Sequence, residues 1–195
     1  MAYGAVIVAG GAGTRLGGVD KASIDMAGMT LLERAVDAVR EAHTVVVVGP
    51  ARSLQQQHRA LLSARENPPG GGPAAALSAG LARVDAELVV ALAVDMPMID
   101  AAAVRLLVET VSASSTYDGA WYVDPSGRQQ PLAAAYRVAA LRRAIQALGD
   151  VTGAPLRALT QHLTMVDVAA DPVLTQDCDS WADVAQLRRI LESDQ

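Results

Sequence analysis

Cysteine, phenylalanine and lysine are nearly or wholly missing from these 195 residues. Cys178 stands alone, which excludes an intramolecular disulfide and agrees with a reducing compartment. No apolar run reaches the roughly 18 residues a membrane span needs. The N-terminus shows no basic stretch followed by an apolar run and a small-residue cleavage site. A cytoplasmic location with no membrane partner is therefore expected. There is no basic run and the net charge is −5, which argues against nucleic acid as a partner. His43, His58 and His162 are scattered without metal-ligand spacing, and Cys178 has no histidine near it in sequence. With no phenylalanine to fill a core, Trp121 and Tyr122 are expected inside it rather than as a stacking platform. Of sixteen basic residues only Lys21 is a lysine. Arginine is a broad planar fork and lysine a compact ammonium on a flexible stem. The one exception falls inside a Gly-rich segment, which points to a place that takes a slim cation.

What is present is a succession of short buried strands and helices. Ala5–Ala9, Thr44–Val48 and Leu88–Val94 are wholly apolar or nearly so, the pattern of strands covered on both faces. Helices are predicted around Leu31–Val39, over Leu54–Arg65, in the Ala-rich stretch ending at Leu81, and around Ala101–Val111. Strands are expected at Gly119–Val123 and Pro131–Tyr136 about the turn Asp124-Pro125-Ser126-Gly127, and at Leu163–Val168. Further helices are expected at Ala139–Leu148, Pro155–His162 and Trp181–Leu191. This alternation predicts an α/β fold in three layers, a mostly parallel Rossmann-like sheet with helices on both faces. No repeat or linker divides the chain, so residues 1–195 are read as one domain.

The most specific segment is Gly10-Gly11-Ala12-Gly13-Thr14-Arg15-Leu16-Gly17-Gly18-Val19-Asp20-Lys21, at the first strand-to-helix turn. Glycines there let backbone N–H groups converge on an anion. A Walker loop would end in Gly-Lys-Ser/Thr, but Gly18 precedes Val19. A dinucleotide fingerprint from Gly11 would need Gly or Ala at Leu16 and an acid where Gly49 and Pro50 stand. What remains is a polyphosphate loop carrying two cations, Arg15 and Lys21. A second loop, Glu66-Asn67-Pro68-Pro69-Gly70-Gly71-Gly72-Pro73, is stiffened by paired prolines and can approach a flat ligand through its glycines. Asp95 closes the most apolar strand, at the edge where ligands gather in open α/β sheets, and offers a hard oxygen to Mg²⁺.

The run Ala9-Gly10-Gly11-x-Gly13-x-Arg15-Leu16-Gly17-Gly18-x-Asp20-Lys21 resembles the opening motif of nucleotidyltransferases, above all the molybdenum cofactor guanylyltransferase family. Gly13 and Leu16 replace that family's Ser and Met. Val94-Asp95-Met96-Pro97 is similar to its metal-binding Cys-Asp-x-Pro. Gln130-Pro131-Leu132 with Tyr136-Arg137 is similar to a stretch near its acceptor. Asp177-Cys178-Asp179-Ser180-Trp181-Ala182-Asp183 resembles its late motif, with Trp181 in place of a proline. Asp179 or Ser180 reads equally well as a helix N-cap.

The resemblance implies the nucleotide-diphospho-sugar transferase type of fold and transfer of GMP from GTP to molybdenum-bearing molybdopterin, with pyrophosphate released. It implies Arg15, Lys21 and Asp95 as catalytic residues. Ala9, Gly10, Gly11, Gly13, Lys21, Glu66, Gly72, Pro73 and Asp95 would hold the nucleotide, and Asp95 and Asp179, with Asp177 the alternative to Asp179, the Mg²⁺. Molybdenum-cofactor carriers or apo-molybdoenzymes would be protein partners. Cytidylyl transfer to molybdopterin, guanylyl transfer to phospholactate, sugar-1-phosphate chemistry and a non-catalytic binding module are the alternatives.

Overall fold

The computed structural model describes residues 2–10, 16–50 and 60–193. The chain opens on β1 (Tyr3–Val8), buried at every position, and after the Gly-rich turn enters a short 3₁₀ turn at Lys21–Ser23. A small hairpin, β2 (Asp25–Met26) and β3 (Met29–Thr30), leads into α1 (Leu31–Ala38), which a Thr30–Glu33 capping box starts. Then follow β4 (Thr44–Val48), β5 (Ala60–Ala64), α2 (Gly72–Leu81), β6 (Leu88–Ala93) and α3 (Ala101–Ser112). The second half adds β7 (Gly119–Val123), β8 (Gln129–Arg137), α4 (Val138–Leu148), α5 (Leu156–Thr160), β9 (Met165–Ala169) and α6 (Trp181–Ser193).

Seven strands form one sheet in the order β5-β4-β1-β6-β8-β7-β9. All run parallel except β8, which is antiparallel to both of its neighbours. Alternation along β1 divides the core. Tyr3, Ala5 and Ile7 face the buried residues of α1, α3 and α6, whereas Val6 and Val8 face those of α2 and α4. The three-layer α/β arrangement is therefore as the sequence predicts. Trp121 and Tyr122 are core residues, with the Tyr122 hydroxyl donating to the Ala103 carbonyl at 3.0 Å. No helix among the described residues is long and apolar enough to cross a membrane.

One predicted element is wrong. The helix expected over Leu54–Arg65 is, for Ala60–Ala64, the edge strand β5, paired in parallel with β4 from Thr44↔Ala60 to Val48↔Ala64. Residues 51–59 lie outside the described part. Alanine and leucine favour helix in isolation; the open edge of β4 supplies a ladder that outweighs that preference.

Helix α2 lies unusually close to the sheet at Gly80. A Cβ there would stand 2.4 Å from Val6 Cγ1 and 2.9 Å from Val48 Cγ2. Valine side chains are stiff at χ1 and cannot swing away cheaply. Gly80→Val is therefore expected to destabilise the fold by about 2–3 kcal/mol, the scale of core overpacking. A lowered urea midpoint with an unchanged m-value would register it.

Candidate active site

The site forms where the strands end. Past the last paired residues, Ala9 N–H still donates to the Val48 carbonyl (2.8 Å) and Val94 N–H to the Val8 carbonyl (3.1 Å). The chains leaving β1 and β6 thus emerge side by side, and Asp95 follows one residue later. Because β8 runs antiparallel, with Ala133 opposite Leu92, its beginning also lies at this edge. A cavity of about 550 Å³ opens there between the Ala9–Gly10 turn, Asp95 and the start of β8.

Lys21 reaches into it from the 3₁₀ turn, which Asp20 caps by accepting the Ala22 N–H at 3.2 Å. Gly17 and Gly18, at φ +74° and +78°, turn the chain toward that segment in a conformation that residues with a Cβ adopt only at a cost. The Lys21 Nζ donates to Asp95 Oδ2 at 3.1 Å and to Asp179 Oδ1 at 2.5 Å. Burial pulls the Lys21 pKa down, but the hydrogen bonds and charges of Asp179 and Asp95 outweigh it, and the net shift is upward. The ammonium is a full cation held between two carboxylates.

Asp179 arrives through the irregular segment before α6. Cys178 N–H donates to the Asp95 carbonyl at 2.8 Å, and the Cys178 side chain is fully buried. Its neighbours Asp177 and Asp179 both line the cavity. Burial raises the Cys178 thiol to about 11, so it is a neutral packing group. Burial, with the charges of Asp95 and Asp179 added, pushes Asp177 up to about 6. The N-cap expected at Asp179 or Ser180 is Ser180. Its Oγ accepts the Asp183 N–H (3.3 Å), and Asp183 Oδ2 accepts the Ser180 N–H (2.7 Å). Trp181 takes the first helical position, where proline would also fit.

Ala9, Gly10, Lys21, Pro73, Asp95 and Asp179 therefore share one cavity wall. Gly72 precedes Pro73 at φ +88° and, like Glu66, stands outside the lining. Glu66 Oε1 accepts the Gly70 N–H at 3.0 Å, which braces the loop; its Oε2 is buried with no partner among the described residues. Gly11, Gly13 and Arg15 lie outside the described residues. Three polar lining residues were given no role in the site by sequence reasoning: Asp20, Gln130 and Arg128. The first two stood inside recognised motifs. Nothing in sequence marks Arg128, because its position depends on the direction of β8.

Two residues of the stretch expected near the acceptor make structural bonds. Tyr136 is fully buried and its hydroxyl donates to the Pro131 carbonyl at 2.8 Å. The Arg137 guanidinium donates to the carbonyls of Tyr117, Val111 and Ser114 at 2.9–3.0 Å, tying the end of α3 to the sheet. Arg137→Met keeps the aliphatic stem but leaves those three carbonyls to water. A stability loss of about 2–3 kcal/mol is expected, with turnover unchanged well below the melting temperature; thermal unfolding alongside an activity assay measures both.

The sequence pattern of the family described as MobA-like NTP transferase domain matches residues 5–189. A probable molybdenum cofactor guanylyltransferase of Natronomonas pharaonis is 33% identical over 138 residues, 68% of this chain and 66% of that protein. A molybdenum cofactor guanylyltransferase of Acidiphilium cryptum is 39% identical over 100 residues, 48% of this chain and 50% of that protein. The chain thus spans between half and about two thirds of the length of these curated relatives. Among solved structures, molybdopterin-guanine dinucleotide biosynthesis protein A of Archaeoglobus fulgidus superposes with a TM-score of 0.72. That match covers 97% of this chain and 99% of the other at 17% identity, which shows a shared fold.

Proposed function

The chain belongs to the MobA-like NTP transferase domain family, and we propose that it transfers GMP from GTP to the terminal phosphate of molybdopterin, with residues 1–195 acting as one nucleotidyltransferase domain. The observation that carries this reading is the Lys21 ammonium bridging Asp95 and Asp179 at the mouth of the Gly-rich turn. A polyphosphate site needs cations and a metal needs carboxylates; here both stand within one cavity.

The donor set fits Mg²⁺. Among the described residues no three His, Cys, Asp or Glu side chains form a ready-made cage. Mg²⁺ does not need one, since it is commonly held by one or two carboxylates together with substrate phosphates. Asp95 and Asp179 would hold it, and it would supply charge neutralisation and Lewis-acid polarisation at the phosphates.

The protein's own contribution is positioning and electrostatics. The backbone of Ala9, Gly10, Gly11 and Gly13 would cradle the triphosphate, with Arg15 and Lys21 neutralising charge that moves onto pyrophosphate. Pro73 closes the nucleotide side of the cavity, at the first turn of α2. Glu66 would meet a guanine N–H through Oε2, which has no partner among the described residues, once the loop turns that buried atom toward the cavity. An oxygen of the acceptor phosphate attacks the α-phosphorus and forms a new P–O–P link. The bond from that phosphorus to the bridging oxygen breaks, and pyrophosphate leaves with the electron pair. Lys21 would turn from Asp95 and Asp179 toward the triphosphate, leaving both carboxylates to the metal.

Pyrophosphate release measured with Mg²⁺ and each of GTP, CTP, ATP and UTP, with and without molybdopterin, tests the reading. Release with GTP that requires molybdopterin is the expected result. Preference for CTP would change the base, and silence with every nucleotide in the presence of molybdopterin would remove the acceptor.

A further inference from the structure

We propose that Arg128 binds the phosphate of the acceptor, a phosphomonoester, and holds it for attack on the nucleotide. The inference rests on the functional reading above and adds the residue that recognises the second substrate.

Arg128 closes the turn between β7 and β8. Asp124 locks that turn: its Oδ1 accepts the N–H groups of Ser126 (2.8 Å) and Arg128 (3.0 Å), and its carbonyl accepts the Gly127 N–H (2.9 Å). The Arg128 backbone is therefore held in place while its side chain is exposed and lines the cavity. No hydrogen bond or ion pair engages its guanidinium among the described residues.

The wall beside it is built rather than incidental. Opposite β7 the register jumps from Trp121↔Ala134 to Tyr122↔Gln130, so β8 bulges between these pairs. Proline is tolerated at such a point because no ladder bond is required of it. The Tyr136 hydroxyl holds the Pro131 carbonyl, and buried Gln130 joins the lining.

Sheet order gives this wall its role. β6, whose end leads into Asp95, lies between β1 and β8. The Gly-rich turn after β1 is on one side of Asp95 and the Arg128 turn on the other. A nucleotide held on the first side leaves the second for the acceptor. Charge points the same way. Of the described lining residues, Asp20, Asp95, Asp177 and Asp179 are acidic and Lys21 and Arg128 are basic. In the reading above Lys21 serves the nucleotide, so among the described lining residues Arg128 is the basic side chain left to a phosphate entering from the β8 side. A guanidinium fork matches two phosphate oxygens at once, which fixes orientation as well as affinity.

The test uses Arg128→Gln and Arg128→Lys. With protein saturated by a GTP analogue carrying a methylene between the α- and β-phosphorus, inorganic phosphate serves as the probe and is titrated calorimetrically. Arg128→Gln is expected to weaken phosphate binding by roughly ten- to hundredfold, with Arg128→Lys in between and affinity for the analogue within about twofold of wild type. In turnover, the KM for molybdopterin rises by a similar factor while kcat at saturating acceptor changes little. Equal phosphate affinity in wild type and Arg128→Gln overturns the proposal, as does no phosphate binding by either. A matching loss of analogue affinity would place Arg128 on the nucleotide side and also overturn it. If wild type releases no pyrophosphate with molybdopterin, the functional reading fails, while the phosphate titration still decides the role of Arg128.

Discussion

Asp95→Asn is expected to lower turnover with GTP and molybdopterin by roughly 10³-fold or more and to flatten its dependence on Mg²⁺, since metal-derived charge stabilisation contributes several kcal/mol at the transition state. The substitution is well suited to the question. The Asp95 backbone is held by the Cys178 N–H at 2.8 Å and by the strand before it, so the chain path does not depend on the side chain. Asparagine keeps the shape and an oxygen that accepts from Lys21, but it brings no charge. Pyrophosphate release measured against Mg²⁺ concentration gives the answer. An Asp95→Asn protein that folds and shows the wild-type Mg²⁺ curve would move the metal away from Asp95.

Lys21→Met should act in two opposite directions. Turnover is expected to fall by roughly 10²–10³, the scale for removing one preorganised electrostatic contact. Binding of Mn²⁺ without nucleotide is expected to tighten by roughly tenfold, because the ammonium no longer occupies the oxygens of Asp95 and Asp179. Hydrogen bonds to charged groups contribute about 1.5–3 kcal/mol when buried. The Asp179 side chain is 43% exposed, so solvent screens its part and the lower end applies. Electron paramagnetic resonance of Mn²⁺ reads the affinity directly. Metal binding that weakens together with turnover would show that Lys21 supports the metal site rather than competing for it.

Much of the fold was legible because burial leaves a plain mark on strands covered on both faces. Val45–Val48 and Val89–Ala91 are 0–3% exposed, and their unbroken apolar runs stand out in sequence. The strand at Ala60–Ala64 was not legible. Its residues carry no alternation and favour helix locally, and its pairing partner, Thr44–Val48, is separated from it by a segment that carries no strand signal. Within the site, the Gly-rich turn, Lys21 and Asp95 were legible because they are clustered or sit at a strand end. The late motif held both candidate caps, and only the reciprocal bonds of Ser180 and Asp183 assign the cap and leave Asp179 to the cavity.

By itself the sequence determined the layered α/β class, the Gly-rich segment after the first strand, the single lysine placed in it and the carboxylate that ends the third buried strand. These are local properties: hydrophobic period, glycine at a turn, residue type at a strand terminus. Tertiary structure alone decided that Lys21 bridges Asp95 and Asp179, 74 and 158 residues away, and that Arg128 faces the same cavity. Both follow from the direction and order of strands. One antiparallel strand, β8, brings its own beginning to the edge where the parallel strands end, and strand direction is settled by long-range pairing that no local pattern records.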